Sequence, residues 1–358
     1  MYDIAIIGAG PGGSTLARLI GKRYKVLLLD KSQLDIPSEE DSRFKCCGGL
    51  LDPDAQKMLG ELGLGVPKSV LAGPQLFVVR TIDLNNNIER YYQRFYTNID
   101  REKFDRWAVS LITKEVDCRF GCVYKLHERK EDSFIIKYTD GTKEYTEKAK
   151  ILIGADGASS KLRKNAFGQC VYPKEYVSIQ EWYEAQSPLP YFSAIFDSEI
   201  TDFYSWTIPK GEHLILGSAL KPKDNAQIKF ELLKKKLADY GFENRKMIRR
   251  EGAFILRPSE RSICIGDKNI ALLGEAAGLI SPSSAEGFSY AFKSALLLSK
   301  SLEDGPEGFI KRYKRFIRDM RLNILVKNLK VLFMYNSSLR NAVMKSGIQS
   351  VNVYKENL

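Results

Sequence analysis

Histidine is nearly absent from the 358-residue chain, where His127 and His213 are the only two. A histidine-based metal site would need more, and a Ser-His-Asp triad would have to use one of this pair; neither is expected, and both histidines read as surface residues. The six cysteines, two of them adjacent at Cys46 and Cys47, make no disulfide framework in a chain of this length and fit a reducing compartment. No apolar run approaches the roughly 20 residues of a spanning helix. The opening MYDIAIIGAG starts a strand without a basic n-region, so a cytoplasmic or membrane-peripheral protein is expected. Internal repeats and low-complexity linkers are missing too. At 44% hydrophobic and 28% charged residues, the composition excludes disordered, collagen-like and coiled-coil chains. At roughly 100–200 residues per domain, the length predicts about two domains.

The net charge of +11 is unevenly placed. Most of the excess lies in Lys311 to Lys330, KRYKRFIRDMRLNILVKNLK, against one acid, Asp319. No known nucleic-acid-binding motif appears, so nucleic acid is not an expected partner. Leu322, Leu325, Val326, Leu329, Leu332 and Phe333 form a stripe at helical spacing, with Arg318, Arg321, Lys327 and Lys330 around it. Such a helix either packs on its own domain or lies on an anionic leaflet; the second reading makes 311–345 a peripheral membrane contact.

The chemistry begins at the N-terminus. An apolar strand at Ile4–Ile7 runs into Gly8-Ala-Gly10-Pro-Gly12-Gly13, then a helix, then a second apolar strand ending in Asp30. In a βαβ unit this GxGxxG lets a pyrophosphate approach the helix N-terminus, while Asp30 is placed to accept from ribose hydroxyls. The bland alternative is a glycine-rich structural turn, and the motif alone does not choose between FAD and NAD. Asp100 caps a predicted helix, and Thr139-Asp140-Gly141 signals a hairpin. Two further glycine turns follow short apolar strands, at Gly154 and Gly274. The simplest architecture gathers all three at one end of a mostly parallel sheet, with antiparallel material inserted between them.

GAGPGG, GADGASSKLR (Gly154 to Arg163) and GEAAGLISPSSAEGFSYA (Gly274 to Ala291) together resemble the flavoprotein monooxygenase superfamily, the aromatic hydroxylase fold. Within it the chain is similar to geranylgeranyl reductases. KCCGGLL (Lys45 to Leu51) resembles their K-x-C-G-G loop, NIDREKFDRW their R-x-x-F-D helix start, and YSWTIPKG (Tyr204 to Gly211) their Y-x-W-x-F-P-K-G pocket motif with Ile208 for Phe. The resemblance implies FAD, contacted by Gly8, Gly10, Gly12, Gly13, Asp30, Asp156 and Glu275, where the family usually has Asp. It also implies contacts from Gly287 and Phe288 under the ring, from Cys47, Gly48 and Gly49 beside it, and from Arg101. Cys122 matches the position near adenine. Tyr204, Trp206 and Pro209 are the implied substrate residues, and Cys47 a candidate proton donor.

Each has a bland reading: Cys47 as an inert small residue, Tyr204 and Trp206 as core filling, Arg101 and Arg163 as ordinary charges. We favour cofactor contact for Arg101 and structural support for Arg163. The expected fold is a Rossmann-like FAD-binding domain (1–75, 99–175 and 265–305) with an inserted antiparallel substrate domain (76–98 and 176–264) and a C-terminal basic helical region (306–358). The expected activity is reduction of carbon–carbon double bonds in a prenyl or other hydrophobic lipid. Aromatic hydroxylation is the chief rival, and a flavin-binding resistance or sensory protein without turnover is another. A halogenase is disfavoured because the family's W-x-W-x-I-P lacks its first Trp here. With no second GxGxxG, the electron donor is either transient NAD(P)H or a ferredoxin-type carrier.

Overall fold

A computed structural model describes residues 1–35, 46–185, 191–240 and 246–353. Lys45, the first residue of KCCGGLL, lies outside them. Two sheets organise the chain. In the first, Tyr2–Ile7 pairs in parallel with Val26–Leu29 on one side and with the C-terminal half of Glu144–Gly154 on the other, in register Ile4↔Val26 and Ile4↔Ile151. Asp117–Arg119 and Ile270–Leu272 extend this parallel core outward. Helices cover it, so its strands are near-continuous apolar runs and Ile4, Ile6, Val26, Leu28, Leu152 and Ile153 are fully buried. Val123–Lys130 and Ser133–Thr139 form a meander onto the N-terminal half of Glu144–Gly154, with the predicted Asp140-Gly141 turn joining the last two.

The second sheet is almost wholly antiparallel. Its order runs Met247–Arg257, Lys174–Glu184, His213–Leu220, Ser205–Lys210, Phe192–Phe196, Leu76–Asp83 and Ile88–Asn98, with Ser350–Val351 at the edge. That last strand was not expected: the tail is not only helical, and it returns to pair Ser350 with Tyr92. Three helices precede it, Phe309–Phe316, Arg318–Tyr335 and Ser337–Ser346. Arg340 on the third reaches the buried carboxylate of Asp83 at 2.7 Å and ties the tail to the sheet.

Among the described residues no helix is long and apolar enough to cross a membrane, and no cluster of His, Cys, Asp and Glu could hold a metal. All six cysteines are free thiols, with Cys170 and Cys264 3.6 Å apart. His127 and His213 are half-buried rather than at the open surface, His127 against Tyr124 at 2.7 Å. Burial of an imidazole beside a neutral phenol asks only for the uncharged ring.

Candidate functional site

The three glycine turns meet at the C-terminal ends of the parallel strands. They open into one cavity of about 1120 Å³ that continues between the two sheets. Helix Pro11–Ile20 starts there, with Gly10 as its N-cap in extended conformation and Pro11 pre-set for the first turn. The four motif glycines divide by what a side chain would meet. At Gly8 it would strike Ala155 O at 2.5 Å, at Gly12 Leu273 at 2.4 Å, and at Gly13 Gly8 O at 1.8 Å. At Gly10 nothing lies within 4 Å. Three glycines therefore lock helix, strand and neighbouring turns together, while Gly10 leaves a bare cradle at a helix N-terminus, which suits a pyrophosphate. Asp30 sits beside it with its carboxylate fixed by Ala9 N–H (2.6 Å) and Ser32 N–H (2.7 Å). Cys122 N–H donates to Asp30 O at 2.7 Å, so its backbone also faces this end.

Gly8, Gly10, Gly12, Asp30, Cys47, Gly48, Gly49, Arg101, Cys122, Asp156, Glu275, Gly287, Phe288, Tyr204 and Trp206 all line the cavity. Gly13 does not; it packs on Gly8, behind the cavity wall. Pro209 is a second correction. Strand alternation turns Tyr204, Trp206 and Ile208 to the cavity and Pro209 to the other face, where its carbonyl accepts from Asn98 Nδ2 at 2.8 Å. Glu275 spans the two sheets by accepting from Leu256 N–H at 3.3 Å, which its extra methylene permits. Arg163, buried, donates to Ala276 O and Ser262 O and braces the second turn against the third.

The middle of the cavity holds the cysteine loop. Asp100 caps helix Arg101–Ser110, so Arg101 starts it with its guanidinium at 2.9 Å from Asp105 and 4.9 Å from the centre of the Phe288 ring. Burial works against the Arg101 charge, but Asp105 and the Cys47 thiol in contact with it outweigh burial and hold it protonated. The two adjacent cysteines differ. Cys46 is buried, its sulfur 2.6 Å from Gln180 Nε2, and burial pushes its thiol up to about 12, with Glu251 adding to the shift. Cys47 is part-exposed at the cavity wall, accepting from Gly49 N–H.

Sequence reasoning missed Lys210. Its ammonium is buried and donates to Gly49 O, Ile99 O and Asn98 Oδ1. It thereby pins the CCGG loop to the start of the Arg101 helix. Burial pushes it down to about 7, while three acceptors at once call for all three hydrogens of the charged form. Its Pro-Lys-Gly context reads as a turn, so nothing local signalled that role. Two acids, Asp52 and Glu286, were also missed. Asp52 caps helix Pro53–Glu61 through one oxygen; the other is buried with no hydrogen bond, 4.0 Å from Arg94. Burial, with Glu286 adding to it, pushes Asp52 up to about 7. Glu286 takes Arg94 at 3.0 Å, Tyr96 at 2.8 Å and Ser284 at 2.9 Å, directly before the helix Phe288–Ser301.

Beyond this polar group Val79, Phe192, Trp206, Ile208, Phe254 and Phe333 line the wall, with Lys327, Lys330 and Arg340 on the side of Phe333. Tyr204 donates to Ser284 O at 2.7 Å, its ring 5.4 Å from Trp206, which in turn lies over Gly217.

No protein-family model matches the chain. Over 361 aligned residues it is 39% identical to Protein CbrA of Escherichia coli O9:H4 (strain HS), covering 99% of this chain and 96% of that one. Among solved structures it superposes on a geranylgeranyl bacteriochlorophyll reductase-like protein from Thermoplasma acidophilum with a TM-score of 0.80 at 19% identity, covering 96% and 90% of the two chains. It also superposes on PqsL, a probable FAD-dependent monooxygenase from Pseudomonas aeruginosa, with a TM-score of 0.68 at 17% identity, covering 97% and 99%. The fold is that of the aromatic hydroxylase-type flavoproteins, with mixed α/β sheets and a helical C-terminal region.

Proposed function

The chain belongs to the family of the CbrA proteins, and from that premise we propose that it is an FAD-dependent oxidoreductase that reduces carbon–carbon double bonds of a prenyl or similar hydrophobic chain. One observation carries the reading: a single cavity joins the bare Gly10 cradle to a long apolar compartment. The residues present fit the dinucleotide. Gly10 and the first turn of its helix would take the pyrophosphate, Asp30 the ribose, Cys122 backbone the adenine side, and Gly48, Gly49, Gly287 and Phe288 the ring. Bound there, FAD supplies a hydride equivalent for one alkene carbon.

The chain's own residues do the rest. Phe192, Trp206 and Ile208 hold the chain and exclude water, which strengthens every charge interaction in the site. Cys47, at the wall beside Gly48 and Gly49, donates the proton for the second carbon, and Arg101 in contact with it carries the countercharge to the thiolate left behind. Lys210 keeps the loop that carries Cys47 in place. The electrons come from NAD(P)H or a ferredoxin-type carrier.

The test is anaerobic. Protein reduced under argon and mixed with a geranylgeranyl lipid should lose its reduced-flavin spectrum while the lipid gains two hydrogens per double bond reduced. An inert lipid, together with oxygen insertion into an aromatic substrate once O₂ is admitted, would replace this reading with the hydroxylase one.

A further inference from the structure

The helix Arg318–Tyr335 is apolar on opposite faces. Met320, Ile324, Val331 and Tyr335 turn inward, with Met320 and Ile324 buried. Leu322, Leu325, Val326, Leu329, Leu332 and Phe333 occupy a roughly 120° arc on the other side at 3.6 residues per turn. They are not packed on the domain: each is 45–61% exposed. The next helix continues the surface with Leu339 and Val343, and the turn after it with Ile348, at 41–68% exposure. A helix that already has a packing face needs no second one for the fold, and a contiguous apolar surface of this kind marks an interaction site.

Two further observations identify the occupant. Arg318, Lys330 and Lys345 are exposed on the same two helices. And Phe333, Val343 and Ile348 belong both to the exposed patch and to the cavity wall, which Lys327, Lys330 and the buried Met344 also line. The cavity thus opens through the patch. A protein partner or second copy seated on it would close that mouth. A leaflet would cover the apolar residues, match the cations with anionic headgroups, and leave a hydrophobic chain a route inward that never crosses water.

We propose that the outer face of helices Arg318–Tyr335 and Ser337–Ser346 docks on an anionic phospholipid leaflet and that the substrate chain enters from the bilayer between Phe333, Val343 and Ile348. The entry route rests on the hydrophobic-chain reading above; the docking surface stands apart from it.

Full-length protein is sedimented with vesicles of phosphatidylglycerol and phosphatidylethanolamine, and separately with phosphatidylcholine alone. It should bind the anionic vesicles preferentially and release in high salt. The triple variant Leu325→Glu, Leu329→Glu, Leu332→Glu should lose at least about ten-fold in partitioning, as expected from removing three large apolar contacts. Its thermal midpoint should be unchanged because these side chains touch solvent. Reversing Arg318, Lys330 and Lys345 to Glu should cut binding to anionic vesicles only. Absent binding, binding indifferent to the triple variant, or a self-associated chain that the triple variant dissociates would each overturn the docking. Vesicle binding by a protein that reduces no prenyl lipid would uphold the docking and sink the substrate reading alone.

Discussion

The two ends of the cavity are built by opposite means. At the glycine end the wall is backbone: Gly8 makes a contact between turns that no side chain would allow, Gly13 packs on it from behind, and Gly10 leaves its place empty. At the far end the wall is side chains from the second sheet and the C-terminal helices, with Trp206 resting on Gly217. A backbone-built site tolerates almost no variation in residue or spacing, whereas an apolar compartment accepts any side chains of suitable volume. The first end therefore fixes the kind of cofactor, and the second is free to select a substrate.

The sharpest way to break that contrast is a pair of valine substitutions three residues apart. Gly10→Val adds a side chain that meets nothing in the protein. Retention of the yellow cofactor on purification should vanish while the unfolding free energy of the flavin-free variant stays within about 0.5 kcal/mol of the flavin-free parent, as for a surface change. Gly13→Val would drive a side chain into Gly8 O at 1.8 Å, so it should lose soluble folded protein altogether. Equal loss of fold in both variants would mean that Gly10 is structural too.

Next in size is the pin between the two ends. Lys210→Met keeps the length of the side chain but leaves Gly49 O, Ile99 O and Asn98 Oδ1 without their donor. Unpaired buried acceptors cost about 1–3 kcal/mol each in isolation, so denaturant titration should show a loss on the order of 2–3 kcal/mol once the neighbours relax. Reduction of the lipid should slow further than stability alone explains, because the loop bearing Cys47 is set loose. An unchanged rate would detach Cys47 from the chemistry.

The smallest effect concerns pH. The Asp52 carboxyl, raised by burial from its ordinary 3.8 to about 7 in the fold, holds more protons folded than unfolded between those values. Stability from this group is therefore fully present at low pH and falls as pH rises towards 7. Asp52→Asn keeps a good N-cap and removes the titration. Its thermal midpoint relative to the parent should rise by about 2 °C or more between pH 4 and pH 8, the shift that 1 kcal/mol gives in a large chain. A flat difference across that range would show that Asp52 is ionised throughout.

The same contrast governs what could be read from the sequence. The parallel core, the cap at Asp100 and the three turns were legible because strands buried on both faces and glycine turns leave local patterns. The apolar wall was legible only at Tyr204 and Trp206, where a motif marks it. Pro209 was misassigned because a motif gives neighbours without saying which face each one takes. Lys210 was hidden in what reads as a turn, although its role is to hold a loop far away in sequence. Asp52, Arg94 and Glu286 come from three separate elements, and nothing local announces that they meet. The apolar stripe of the C-terminal helix was visible, but its direction was not: periodicity locates a stripe and is silent on whether it faces the core or the solvent.

The claim that one cavity holds flavin and a prenyl chain end to end is tested most directly by the absorption spectrum of the bound cofactor. A geranylgeranyl lipid added to oxidised, flavin-loaded protein should shift that spectrum saturably. In Trp206→Ala, which loses up to about 3 kcal/mol of apolar contact, the same shift should need about 100-fold more lipid with flavin still bound. A spectrum that ignores the lipid, or a titration identical in the two proteins, would contradict the account.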